Sequence, residues 1–240
     1  MNYTFIILGI VLVVVLYILY TTLIAPSSIV STQTYLKSNP PSVGLSTLTN
    51  SNSMNYYYSL WIYVNNLSQG STTGSSNTSG GFPNQLGTEA NNIFYIVDSS
   101  NQPYVSLDVK TSTELNTSLM VDNMLKTYVI TPNFALQRWE HVIISISQTY
   151  LDLYLDGKLI KSISLPSVPN TPDPLKKPTI YFGNGDIYIA GFQRKPDPMD
   201  PQTAWNIYLT GSGVTQSPIN YGLSMTLSKN NKPKSTITLF

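Results

Sequence analysis

The chain has 240 residues, 42% hydrophobic but only 10% charged, and thirteen basic against twelve acidic side chains leave a net charge of +1. That length supports one large β domain, and with charge well below the usual quarter of residues the polarity rests on Ser, Thr and Asn. Balanced charge offers no field for phosphate backbones, which argues against nucleic-acid binding, and zero cysteines with a single histidine, His141, exclude disulfides, thiol catalysis and Cys- or His-built metal centres.

The run from Phe5 to Ile24 carries no charge and is long enough, at about 1.5 Å per residue, to span a hydrocarbon core of roughly 30 Å. Residues 1–25 therefore read as a transmembrane anchor. Phe5, Leu12, Leu16 and Ile24 supply its apolar body, and Tyr17 and Tyr20 fall in its last turns, where amphipathic rings meet headgroups. A cleaved signal peptide fits less well, because no Lys or Arg precedes the run and Pro26 follows the only candidate cleavage site. Lys37 is the first charged side chain, so loop charge slightly favours a cytoplasmic C-terminal domain. Asn66, Asn77 and Asn116 begin glycosylation sequons that would be available in a lumen.

Residues 26–53, with Pro26, Pro40 and Pro41 among Ser, Thr and Asn, read as an extended tether containing one strand between Ile29 and Leu36. The remainder, 54–240, reads as strands. Tyr56, Tyr58, Leu60, Ile62 and Val64 alternate with Tyr57, Ser59, Trp61 and Tyr63, the pattern of a central strand covered on both faces. Residues 69–92 lack periodicity and read as a long polar loop. Ile93 to Val97 and Tyr104 to Val109 form a hairpin, and Tyr128 to Ile130 a short strand. Trp139 opens a strand with Val142, Ile144 and Ile146 on one face. Leu151, Leu153 and Leu155 follow, and Asp156-Gly157 supplies a two-residue hairpin turn before residues 159–165 return.

Thr179 to Phe182 and Ile187 to Phe192 flank Asn184-Gly185-Asp186, which reads as a tight turn. Asp200, Pro201 and Gly211 cap, start and end a helix whose face Trp205, Tyr208 and Leu209 is expected to plug one end of the fold. Residues 223–227 and 235–240 close the chain as a hairpin.

The strand Trp139, His141, Val142 followed by Leu153, Tyr154, Asp156 and Gly157, with YYSLWIYV upstream and IYFGNGDIYIAGFQRKPDPMDPQTAWNIYLTG downstream, resembles laminin-G-like domains of the concanavalin A-like lectin/glucanase superfamily. The resemblance implies an all-β jelly-roll sandwich of antiparallel sheets with one short helix, and a fold core containing Trp61, Trp139, His141, Leu153, Leu155, Gly157 and Trp205. The anchor, the Ser/Asn-rich composition and GLSMTLSKNNKP are similar to membrane-anchored minor capsid proteins of large double-stranded DNA viruses such as phycodnaviruses. That similarity implies a virion protein between the internal membrane and the inner surface of the capsid, with the lipid bilayer, the major capsid protein and other minor capsid proteins as partners.

Glucanases of this superfamily carry Glu-x-Asp-x-Glu, so that two carboxyls flank the scissile bond; here the only glutamates are Glu89, Glu114 and Glu140, far apart in sequence. No enzymatic activity and no cofactor are expected. Glu140 and His141 cannot pair side by side, since consecutive strand residues face opposite ways, and His141 reads as structural. Asp98, Asp108 and Asp186 are the carboxylates from which a calcium site like that of some relatives would be built, but no Asp-x-Asn-x-Asp loop is present. Tyr57, Tyr63, Arg194 and Lys195 are the expected interaction residues, either for protein partners or, in a lectin-like adhesin, for carbohydrate.

Overall fold

The structure, a computed structural model, describes residues 11–16, 30, 33–38, 40–48, 50–67 and 91–212, and the backbone of 224–229 and 232–238. Alternating residues of each strand point to opposite faces, and here one face of each of two six-stranded antiparallel sheets is apolar, so the two close on each other. In the first sheet the order is β1 (Thr34–Tyr35), β12 (Asp186–Lys195), β3 (Asn55–Asn66), β8 (Trp139–Ser147), β9 (Tyr150–Leu155) and β10 (Lys158–Ser164). The second runs β2 (Ser42–Gly44), β11 (Thr179–Phe182), β4 (Asn92–Val97), β5 (Pro103–Val109), β6 (Leu115–Val121) and β7 (Met124–Thr131). Between them Tyr58, Leu60, Ile62, Ile144 and Leu153 meet Phe94, Ile96, Leu107, Leu115 and Leu119 in one buried core, with Leu155 partly buried against it.

The β9–β10 turn follows the sequence reading: Asp156 and Gly157 have φ of 48° and 74°, the two left-handed residues of a tight hairpin. Gly157 is required for a second reason, since a Cβ there would lie 2.8 Å from Cβ of Tyr208. Asp122 and Asn123, at φ 54° and 59°, make an equivalent turn between β6 and β7.

The tether expectation for residues 26–53 is corrected. Val30 bridges to Phe192, β1 pairs with β12 and β2 pairs with β11, so this segment forms the outermost strand of both sheets. Leu36 and Leu45, both fully buried, hold it there, because their burial outweighs the short strands and the prolines between them. The expected tight turn at Asn184-Gly185-Asp186 is corrected as well. β11 pairs with β4 and β12 with β3, so the segment crosses from one sheet to the other. Gly183 permits the crossing by coming so close to Asn92 that no Cβ would fit.

The helix Pro201–Thr210 is capped as expected, with Asp200 accepting from the Thr203 N–H and Gly211 at its end. It lies on the outer face of the first sheet, which corrects its expected place at one end of the sandwich. Ala204, small enough for close approach, is buried with Tyr57, Ile143, Tyr154 and Met199, whereas Trp205 is 38% and Leu209 63% exposed. Trp205 is therefore not a core residue. β13 (Ser224–Lys229) and β14 (Lys232–Thr238) pair as a separate two-stranded sheet.

Of the expected anchor, residues 11–16 are described. They are helical, and Leu12 and Leu16 are well exposed. Phe5, Tyr17, Tyr20 and Ile24 lie outside the described residues, among which no helix is long and apolar enough to cross a membrane. The polar loop 69–92, with Glu89 and Asn77, falls almost entirely outside them too.

Candidate functional site

On the outer face of the first sheet, β3 and β8 bring Ser59, Trp61 and His141 together beneath the helix. His141 Nε2 and Ser59 Oγ share a 2.8 Å hydrogen bond, and the imidazole stacks on Trp61 with centroids 4.9 Å apart. Trp61, though 8% exposed, is thus buried under Tyr208 of the helix, at 5.6 Å, and not between the sheets. Burial lowers the His141 pKa to about 4, so the ring is neutral near pH 7. A small recess of about 160 Å³ adjoins the pair, lined in part by Gly191, Ile207 and Thr210.

A Ser–His pair acts as nucleophile and base when a third group orients the imidazole. Here Nδ1 has no partner, and Asp156 accepts from the His141 backbone N–H at 2.9 Å instead of from the ring. Glu140 faces the opposite way, where Arg138 donates to its Oε1. Burial raises the Glu140 pKa, opposed by Arg138. In this geometry His141 packs on Trp61 with its Nε2 bonded to Ser59, and no carboxylate among the described residues bonds its Nδ1.

The more open feature of this face is a row of four rings in register across four strands: Tyr35 on β1, Tyr188 on β12, Tyr63 on β3 and Trp139 on β8. Tyr35 and Tyr188 stack at 4.6 Å, Tyr188 meets Tyr63 edge to face at 6.1 Å, and Tyr63 packs on Trp139 at 5.7 Å. All four are half-buried. Trp139 therefore belongs to this outer row, a correction of its expected place in the core; the inner side of β8 is filled by Val142, Ile144 and Ile146. At the edge of the row, Asp186 accepts from the Tyr35 hydroxyl at 3.0 Å and from Asn65 at 2.9 Å. Burial and this carboxylate raise the Tyr35 pKa.

The outer face of the second sheet carries a recess of about 380 Å³. Tyr95 and Tyr181, paired across β4 and β11, stack at 5.5 Å along it, with Pro40 and Pro41 beside them and Ser42 and Asn184 at its rim. None of its described lining residues carries a charge, and Tyr181 is 38% exposed. Neither Tyr35 nor this recess was anticipated from sequence. Their signal is a tyrosine alternating with core isoleucines, which alone does not reveal which strands become neighbours.

Of the four expected interaction residues, Tyr63 joins the row and Lys195 is exposed at the end of β12. Tyr57 and Arg194 are corrections, since both are buried. Tyr57 is covered by the helix, and burial pushes its pKa up to about 12. Arg194 donates to the carbonyls of Asn50 and Ser51 and lies over the Tyr56 ring at 5.0 Å, which ties the incoming strap to the sandwich.

Asp98 accepts from the Ser100 and Gln102 N–H groups and the Tyr104 hydroxyl, which occupies it as a loop staple. Asp108 lies on β5 opposite Asn92 and Asn116. Among the described residues no group of three or more His, Cys, Asp or Glu is placed to hold a metal ion. Asn66 is exposed and Asn116 fully buried, so the Asn116 sequon is inaccessible in the folded domain.

The model of the concanavalin A-like lectin/glucanases superfamily matches residues 32–214. Among solved structures, the receptor binding domain of botulinum neurotoxin mosaic serotype C/D is similar with a TM-score of 0.53 at 14% identity, covering 86% of this chain and 51% of that one. The binding domain of botulinum neurotoxin serotype D gives 0.50 at 16% identity, covering 75% of this chain and 43% of that one. This chain thus spans about half the length of those it matches, and at such identities the likeness speaks to the fold alone. No curated protein matches the sequence.

Proposed function

Because the chain belongs to the concanavalin A-like lectin/glucanases superfamily, a fold that does not dictate function, we propose from its own surfaces that it is a non-enzymatic, membrane-anchored structural protein. In this reading it is a minor capsid protein that joins the internal membrane of a virion to the capsid shell through protein–protein contacts. The observation that carries it is the uncharged aromatic recess of Tyr95, Tyr181, Pro40 and Pro41 on the outer face of the second sheet. Interface centres are depleted in charge and enriched in such rings. The uncharged run from Phe5 to Ile24, helical and exposed over its described part, supports the anchor.

The test is made on purified particles. The protein is expected to resist alkaline extraction, to become protease-sensitive only after the shell is opened, and to lose incorporation when Tyr181→Asp places a charge in the recess. Absence from particles, or normal incorporation of that variant, would refute the reading. A second reading, a carbohydrate-binding adhesin, is favoured by the volume of the same recess and its Ser42 and Asn184 rim, features of a small-ligand site. Glycan-array binding by the detergent-solubilised chain, abolished by Tyr181→Ala, would select it.

A further inference from the structure

The apolar run ends at Ile24, and Val30 is the first described residue held by the sandwich, its backbone exchanging hydrogen bonds with Phe192. Six residue steps reach at most about 20 Å, roughly half the ~40 Å length of the twelve-residue β3. So short a leash keeps the edge held at Val30 within about 20 Å of the end of the apolar run, close enough for a face of the sandwich to rest on the headgroup layer. The leash enters along β1 and β12, and the row Tyr35, Tyr188, Tyr63 and Trp139 starts at that same edge. Tyr and Trp rings, apolar in body and polar at the tip, favour the headgroup layer of a bilayer. No rung is charged, and the carboxylate at the row's edge, Asp186, disfavours an anionic surface, so the matching chemistry is a zwitterionic headgroup layer.

We propose that the part of the first sheet's outer face that the helix leaves uncovered, through Tyr35, Tyr188, Tyr63 and Trp139, lies against the zwitterionic headgroups of the membrane that anchors the chain. This goes beyond the proposed capsid function, on whose anchor it rests, by orienting the sandwich. The first sheet faces lipid, and the Tyr95–Tyr181 recess on the opposite side faces outward.

The test uses the full-length chain carrying Trp61→Phe and Trp205→Phe, which leaves Trp139 as the only indole, reconstituted in phosphatidylcholine vesicles brominated on the acyl chains near the headgroup. Trp139 emission is expected to fall about twofold relative to unbrominated vesicles, as for an indole at the interface. Tyr188→Lys should abolish most of that quenching, and Tyr181→Lys, on the far face, should leave it unchanged. If the chain floats with the vesicles after alkaline washing but Trp139 is unquenched, the docked face is refuted while the anchor stands; if the chain does not float, both fail. Iodination of the wild-type chain in the same vesicles gives an independent readout that needs no Trp substitution. Protection of Tyr35, Tyr63 and Tyr188 with free labelling of Tyr181 supports the proposal. Equal labelling, or protection that arises only on adding shell proteins, overturns it, the latter in favour of a protein partner.

Discussion

Burial holds the His141 pKa near 4 in the folded protein, against about 6.5 in an unfolded chain. Between those values the unfolded state binds more protons, so stability falls as pH drops from about 6.5 to about 4 and changes no further from this group below that. The full effect is of order 3 kcal/mol. Denaturation of the wild type and of His141→Asn across this range should show the wild type losing ground to the variant as pH falls; a pH-independent difference would mean the ring does not titrate as described. Glu140, whose pKa is raised by burial, works with the opposite sign, its contribution being lost on raising the pH. That His141 and Glu140 face opposite ways was legible in sequence from strand alternation. The burial of Tyr57 was not, because what covers it is a helix lying some 140 residues further along the chain. Arg194 misled for a related reason: a cation among prolines reads as surface, while its actual partners, two carbonyls and a tyrosine ring, leave no mark in a local pattern.

Strands with strong alternation, β3, β8 and β9, were readable to within a few residues, and so was the Asp156-Gly157 turn. β6 was missed because Asn116, Thr117 and Ser118 interrupt its apolar pattern, although all three are buried. β1 lies within the strand read between Ile29 and Leu36, whereas β2 was missed as a pairing element because three residues are too few to show a period. They are nonetheless fixed by side chains with large apolar burial, and the helix by comparatively little. Leu45→Ala should therefore cost about 2–5 kcal/mol through cavity formation, whereas Trp205→Ala, at a site more than a third exposed, should cost about 1 kcal/mol. Equilibrium denaturation of the two variants measures both; a larger loss at Trp205 would mean that the helix, and not the strap, secures the sandwich.

At the scale of the molecule, two layers of antiparallel strands followed from the alternation, but the partition of strands between layers did not. Thr179–Phe182 and Ile187 to Phe192 look like consecutive hairpin strands and belong to different sheets, since a close approach at Gly183 decides the route. The same two-layer arrangement gives the entering strap a mechanical character. A pull applied to the N-terminal side arrives at Val30 and meets first the few hydrogen bonds to Phe192 and Ile187, then the buried Leu36, and only then β2 on the opposite sheet. The bonds are loaded one after another and not side by side, so the strap should peel in two small steps, one from each sheet, while the central strands carry no tension. Stretching single molecules from the N-terminus should show these two low-force releases ahead of the main rupture, and a single cooperative event would rule the sequence out. Under a sudden pull on its N-terminal strap, a domain built this way should pay out chain from its rim and, with its central strands still paired, recover its shape by returning Leu36 and Leu45 to the core.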